Sequence, residues 1–207
     1  MNNLEIKNHR ELINTNLKSE IIALIKSENP KSILSKISDN IVFKYLDISS
    51  ESENIYIYTY KLNQKLIGYA ILAKKPKYLI SEFNQLKKKI FFDLILKGKI
   101  LTIFDIIFSI LKIDILNIDK KNLDVFNNSL NLNLIAIKKS FQSHGYGSFF
   151  LNLIIKNFKD QNKFKHICCE TFSDRAENFY IDKFEFETIG KKFRTSGFLK
   201  VLKKDFS

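Results

Sequence analysis

Between residues 11 and 37 apolar side chains recur at helical intervals, at Leu12, Leu17, Ile21, Leu24 and Ile25. Pro30 interrupts the run, so the pattern predicts two N-terminal helices joined by a turn. Residues 41–46 are rich in β-branched and aromatic types and predict a strand, followed by a polar loop over 49–54. Residues 55–60 and 66–73 predict two more strands, with Asn63-Gln64 suited to the turn of an antiparallel hairpin. Two helices are expected over 80–96 and 100–116, divided at Gly98, a natural helix stop. After residue 131 the pattern becomes regular: strand 132–137, helix 147–158, strand 166–172, helix 174–183, then strands near 186–193 and 197–202. A hairpin followed by strand-helix-strand-helix predicts an α/β protein. Its mixed, twisted sheet would be antiparallel in the N-terminal part and parallel at one central pair.

The length of 207 residues suits one domain, 1–207, carrying an elaboration, a helical insertion at about 74–130. Hydrophobic residues at 45% and aromatics at 13% are too many for a disordered chain. A net charge of +12 attracts anions, but the lysines are spread along a chain rich in Asn, Ile and Phe. Compositional bias with modest anion attraction explains that distribution better than a dedicated nucleic-acid role. The competing reading is a basic module that stacks single-stranded nucleic acid on Tyr56, Tyr58 and Tyr60.

Cys168 and Cys169 are adjacent, which makes a mutual disulfide awkward, and no Cys/His spacing suggests a metal. A reducing cytoplasm is the expected location. The first residues lack a basic start followed by an apolar run, so no secretory signal is expected. The apolar stretch 90–116 is broken by Asp93, Lys97, Lys99, Asp105, Lys112 and Asp114, which argues against a spanning helix. The wide apolar faces of 80–116 must still pack on the parent domain, on a second copy or on a bilayer surface. Monomer and homodimer both remain open, and Lys87, Lys88, Lys89, Lys97 and Lys99 supply the basic face that interfacial membrane contact needs.

The chemistry is concentrated in residues 134–148. A strand ending at Ile137 runs into a loop with Gln142, Ser143, His144, Gly145, Tyr146, Gly147 and Ser148, and then into a helix with Phe150, Leu151, Ile154, Ile155 and Phe158 on one side. Such a helix start leaves backbone N–H groups unpaired and favours negative charge, so a pyrophosphate is its natural guest. Gly145 and Gly147 allow close backbone approach, although a tight structural turn explains a Gly-x-Gly equally well. The second block, 167–186, contains Asp174 and Glu177 at a helix start, with Ala176, Phe179, Tyr180 and Lys183 along one region of the helix.

Together these blocks resemble the GNAT (GCN5-related) N-acetyltransferase family. Gln142, Gly145 and Gly147 match Gln/Arg-x-x-Gly-x-Gly/Ala; Ala176, Phe179, Tyr180 and Phe186 match Asn-x-x-Ala-x-x-Phe-Tyr-x-x-x-Gly-Phe. The chain departs at Lys139, where many members have Pro, at Ser173, where Asn is usual, and at Glu185, where Gly is usual. The resemblance implies acetyl-CoA as cosubstrate, no metal, and a central parallel pair splayed so that the pantetheine arm pairs with Leu134, Ile135, Ala136 and Ile137. It also implies cofactor contacts from residues 142–148, Ser173, Ala176 and Phe179, and a general acid at Tyr180. Glu170, at the end of a parallel strand, is the candidate base. The acceptor would be a primary amine of a small molecule, with an amino sugar suggested by the long insertion. The alternative within this family is a non-catalytic CoA-binding protein.

Overall fold

The computed structural model describes residues 4–9, 13–111, 113–161 and 163–206. The strands are β1 (Leu4–His9), β2 (Ile55–Leu62), β3 (Lys65–Ala73), β4 (Ile115–Leu116), β5 (Leu130–Ile137), β6 (His166–Thr171), β7 (Glu187–Arg194) and β8 (Gly197–Asp205). The helices are α1 (Thr15–Glu28), the single-turn α2 (Ile33–Lys36), α3 (Asp39–Glu51), α4 (Pro76–Leu96), α5 (Ile100–Leu111), α6 (Lys120–Asn128), α7 (Tyr146–Asp160) and α8 (Asp174–Phe184). The described strands form an 8-stranded sheet in the order β1-β2-β3-β5-β6-β8-β7-β4. Within it β5 and β6 run parallel and the other neighbours antiparallel, as the sequence pattern implied.

Each face of the sheet buries a separate apolar cluster. On one side α1, α3 and α4 place Ile21, Ile25, Tyr45, Leu46 and Leu94 against Ile57 and Ile71. On the other, α7 and α8 place Phe150, Leu151, Phe158 and Phe184 against Tyr60, Ile67 and Leu202. Each such fully buried side chain contributes roughly 1.5–3 kcal/mol, so these contacts fix which face α1, α3, α4, α7 and α8 present. Tyr56, Tyr58 and Tyr60 belong to the second cluster at 2%, 4% and 0% exposure, so they cannot serve as stacking platforms. That removes the feature on which a nucleic-acid reading rested.

Several sequence expectations are corrected. Residues 41–46 are not a strand but part of α3, because Ile41, Val42, Tyr45 and Leu46 are buried at helical spacing behind Ser38 and Asp39. α3 also extends into the expected polar loop, to Glu51. The helix expected over 100–116 stops at Leu111, and Ile115–Leu116 instead pairs with β7. The first N-terminal helix begins at Thr15; its expected start at Glu11 and Leu12 lies outside the described residues, as do Met1 to Asn3 and Lys112. β1 and α6 were not anticipated.

The functionally important irregularity is in β5. Ile71 of β3 faces Leu134 while Leu72 faces Leu132, so Asn133 is an extra residue, a bulge. Pairing between β5 and β6 runs through Leu130↔Ile167, Asn131↔Cys168 and Leu132↔Cys169 and then ends, although β5 continues to Ile137 and β6 to Thr171. The central strands therefore part at the bulge.

Candidate functional site

The gap between the parted strands opens into a cleft of about 1500 Å3, whose walls include residues 131–137 of β5, the glycine loop, the end of β6 and the start of α8. Beyond Leu132 the edge of β5 that faces β6 has no strand partner, so its main-chain groups are presented to the cleft. Leu134, Ile135 and Ala136 line it half-buried, and Ile137 lines it buried.

At one end stands the N-terminus of α7. Gly145 is its cap residue in the left-handed region, φ 81°, and no side chain caps the helix. The first intrahelical bond is that of Phe149 N–H to Gly145 O at 3.0 Å, which leaves the amides of Tyr146, Gly147 and Ser148 without a helical acceptor. Free amides and the helix dipole together make an anion site. A Cβ at Gly145 would meet nothing within 4 Å, and one at Gly147 would touch Ile137 and Phe179 only at ordinary distance, 3.7 and 3.9 Å. Gly145, Gly147 and Ser148 all line the cleft. Ser143 also adopts a positive φ, 65°, and its hydroxyl meets the Arg175 guanidinium at 3.3 Å. Arg175 thus carries a cation from α8 to the rim of the loop.

The remaining expected residues fall into two groups. Gln142, Ser143, Gly145, Gly147, Ser148, Ser173, Ala176, Phe179, Tyr180 and Glu170 all line the cleft. His144 and Tyr146 do not: the His144 ring bonds back to Gln142 O at 2.7 Å, and Tyr146 packs edge-on against Tyr60 and Phe141. The Gln142 amide is engaged within the protein, donating to Ile137 O at 2.8 Å and to Glu28 Oε2 at 3.1 Å. Glu28 Oε1 also accepts from Lys139 N–H at 3.1 Å, so a carboxylate from α1 holds the loop's first turn in place. Ser173 caps α8 by accepting from Ala176 N–H at 3.3 Å. Its hydroxyl does the local work expected of any good cap.

Tyr180 lies on α8 between Phe179 and Phe186, 6% exposed and facing the cleft. Burial raises its phenol well above the ordinary value, and neighbouring Cys169 adds to the shift, so the hydroxyl remains protonated at neutral pH. Glu170 reaches the cleft from β6 with Oε1 at 2.5 Å from Lys192 Nζ, and that lysine sits 4.1 Å from the centroid of Phe126. Cys168 and Cys169 are buried in the sheet, where burial raises both thiols, that of Cys168 to about 11, so neither is a thiolate nucleophile.

The far end of the cleft is built by α2, α5 and the β7–β8 turn, to which the sequence reading gave no role in the site. Lys36 of α2 reaches it, its ammonium lowered by burial, partly offset by Asp105 and reinforced by Lys99. Buried Asp105 accepts from Thr195 N–H at 2.6 Å and from its hydroxyl at 3.0 Å, tying α5 to the β7–β8 turn. Arg175, Glu28, Lys36 and Lys192 were all missed by sequence reasoning. A usable signal existed only for Arg175, an arginine in a lysine-rich chain beside the matched Ala176.

The described residues contain no group of His, Cys, Asp and Glu able to hold a metal, and no helix among them is long and apolar enough to cross a membrane. No protein-family model matches the chain, nor does any curated protein sequence. Solved structures do. An acetyltransferase of the GNAT family from Staphylococcus aureus Mu50 superposes with TM-score 0.58 at 15% identity, covering 99% of this chain and 100% of that one. The mosquito arylalkylamine N-acetyltransferase like 5b gives 0.58 at 12% identity, over 97% and 100%. The ribosomal-protein-S18-alanine N-acetyltransferase from Escherichia coli gives 0.55 at 11% identity, over 100% and 95%.

Proposed function

We infer from the GNAT fold, which this chain has, that it is an acetyl-CoA-dependent N-acetyltransferase acting on a primary amine. The observation that carries this reading is the coincidence, on one cleft, of an uncapped helix N-terminus, an unpaired strand edge and a protonated tyrosine. The chain is taken as one domain, with residues 74–130 as a helical insertion between β3 and β5. The acceptors named for the similar structures range from arylalkylamines to an alanine of ribosomal protein S18, so the fold leaves the acceptor open. A small-molecule amine, for which an amino sugar is one case, suits a cleft walled by α2, α4 and α5.

The residues fit such a cosubstrate. The free amides of Tyr146, Gly147 and Ser148 would take the diphosphate, with Arg175 and Lys139 adding positive charge at the rim. The unpaired edge of β5, residues 134–137, would hold the pantetheine arm as an added strand. When bound, acetyl-CoA supplies an activated acetyl carbonyl. A β5 amide beside it would stabilise the oxyanion that develops as the amine attacks. The Tyr180 hydroxyl holds the proton that the departing thiolate requires. Glu170, ion-paired with Lys192 and open to the cleft, draws in an ammonium acceptor and takes up its proton directly or through water.

Calorimetric titration with acetyl-CoA, followed by thiol-release assays over a panel of amines, tests the reading. Micromolar binding with turnover on at least one amine supports it. Binding without turnover on any amine would favour the non-catalytic CoA-binding alternative, and absence of binding would refute both.

A further inference from the structure

α5 turns a polar stripe inward beside Ile103 and Ile106, which pack on the core, and leaves an apolar stripe outside. Its sequence, ILTIFDIIFSIL, is strongly amphipathic, yet the residues it buries are Thr102 and Asp105. Ile100, Leu101, Phe104 and Leu111 are instead 60%, 64%, 47% and 61% exposed, while Ile110 lines the cleft. Positions 100, 104, 108 and 111 share one stripe of the helix, and 102, 105 and 109 the opposite one. The polar stripe is turned inward by a specific lock, Asp105 on the main chain and hydroxyl of Thr195. A water-facing helix would reverse this arrangement.

The apolar surface extends beyond α5. The end of α4 adds Phe92, Ile95 and Leu96, all at least 60% exposed. Phe104, Phe108, Phe193 and Phe198 follow one another at centroid separations of 6.2, 6.1 and 6.2 Å, carrying the patch onto the β7–β8 hairpin. Lys97 and Lys99 sit at the corner between the two helices, both exposed, with Lys97 reaching back to Asp93 at 3.1 Å.

We propose that the α4–α5 corner is a membrane-docking surface that lays α5 flat on an anionic phospholipid bilayer. An interfacial helix needs an apolar face turned outward with cationic side chains at its border, which is what this corner presents. At 1.5 Å per residue α5 is about 18 Å long, too short to cross a bilayer but long enough to lie in its surface. The charge selects this occupant over a second copy of the chain. A net charge of +12 is complementary to anionic headgroups, whereas a symmetric dimer through this face would bring the exposed Lys97 and Lys99 of both copies together. Docking does not depend on acetyl transfer, so its test reads neither binding of acetyl-CoA nor turnover.

The test is flotation of the full chain with vesicles of phosphatidylglycerol and phosphatidylcholine in equal parts, and with phosphatidylcholine alone. The wild-type chain should float with the anionic vesicles and far less with the neutral ones. Leu96→Asp combined with Leu101→Asp should lower the bound fraction by about tenfold without changing the melting temperature, since both side chains already face solvent. Lys99→Glu keeps the apolar area intact and should weaken binding to anionic vesicles several-fold while leaving the neutral baseline unchanged. Failure to float with anionic vesicles would overturn the proposal. So would undiminished flotation of the double variant, or a dimer in sedimentation velocity that the double variant dissolves.

Discussion

Leu132 faces Cys169 in the last register pair of β5 and β6, and one residue later the bulge at Asn133 carries β5 out of reach of its neighbour. A single inserted residue thus converts a continuous sheet into one with an open edge at its centre. Main-chain groups that would ordinarily be consumed by the ladder are kept available, and the free amides of α7 are part of the same cleft.

Gly147→Ala separates ligand contact from folding. The added methyl meets the protein only at ordinary distance, so the melting temperature should not move. It would intrude on a diphosphate held by the α7 amides, and calorimetry should show CoA affinity falling about tenfold, or about 1.4 kcal/mol. Gly68→Ala is the counter-case, because its Cβ would lie 2.5 Å from Ile137 Cδ1 and 2.9 Å from Ala136 O. That overpacking should cost roughly 1–3 kcal/mol in urea unfolding.

Tyr180→Phe removes the hydroxyl and keeps the ring that packs on Phe179 and Phe186. Turnover should drop roughly 100-fold while the dissociation constant for acetyl-CoA stays within about twofold. An unchanged rate in the thiol-release assay would remove Tyr180 from the acid role.

Glu185 adopts φ 56° and ψ 35° at the end of α8, where its N–H still bonds to Ile181 O at 3.0 Å. A side chain in that region is strained and glycine is not. Glu185→Gly should stabilise the protein by about 1 kcal/mol, read as a higher urea midpoint at constant slope. A lower midpoint would mean that the contact of Glu185 with Lys204, at 3.3 Å, outweighs the strain.

His9 of β1 is bonded to Thr59 Oγ1 at 2.8 Å, and burial, with Lys7 and Lys61 nearby, lowers its pKa to about 4. Below pH 6.5 the unfolded chain takes up this proton before the folded one does, so stability falls as pH drops from 6.5 toward 4. The loss should reach about 2 kcal/mol, less than full linkage because β1 is a sheet edge where water screens charge. His9→Gln should flatten that part of the pH-stability profile.

The hairpin, β5, β6, α7 and α8 were legible because their periods are long and consistent and their ends carry turn residues such as Asn63-Gln64, both at positive φ. α3 was misread because β-branched Ile41 and Val42 outweighed the helical spacing of Ile41, Val42, Tyr45 and Leu46. α6 is short and polar, with only Phe126 buried, and gave no apolar period to detect. In the site the glycine loop and Tyr180 were visible as motifs. The partners that hold them were not, because Glu28 meets Lys139 across 111 positions and Arg175 meets Ser143 across 32. Such contacts are created by the fold.

The short register of β5 with β6 has a mechanical consequence. Strands β1, β2, β3 and β5 supply one panel of the sheet, and β6, β8, β7 and β4 the other, with three residue pairs of direct seam between them. A molecule laid along that seam and gripped at α7 would act as a stitch between the panels. Its arrival should tighten the whole structure far more than an equally strong ligand held by one panel alone, and amide exchange should slow on both sides of the join.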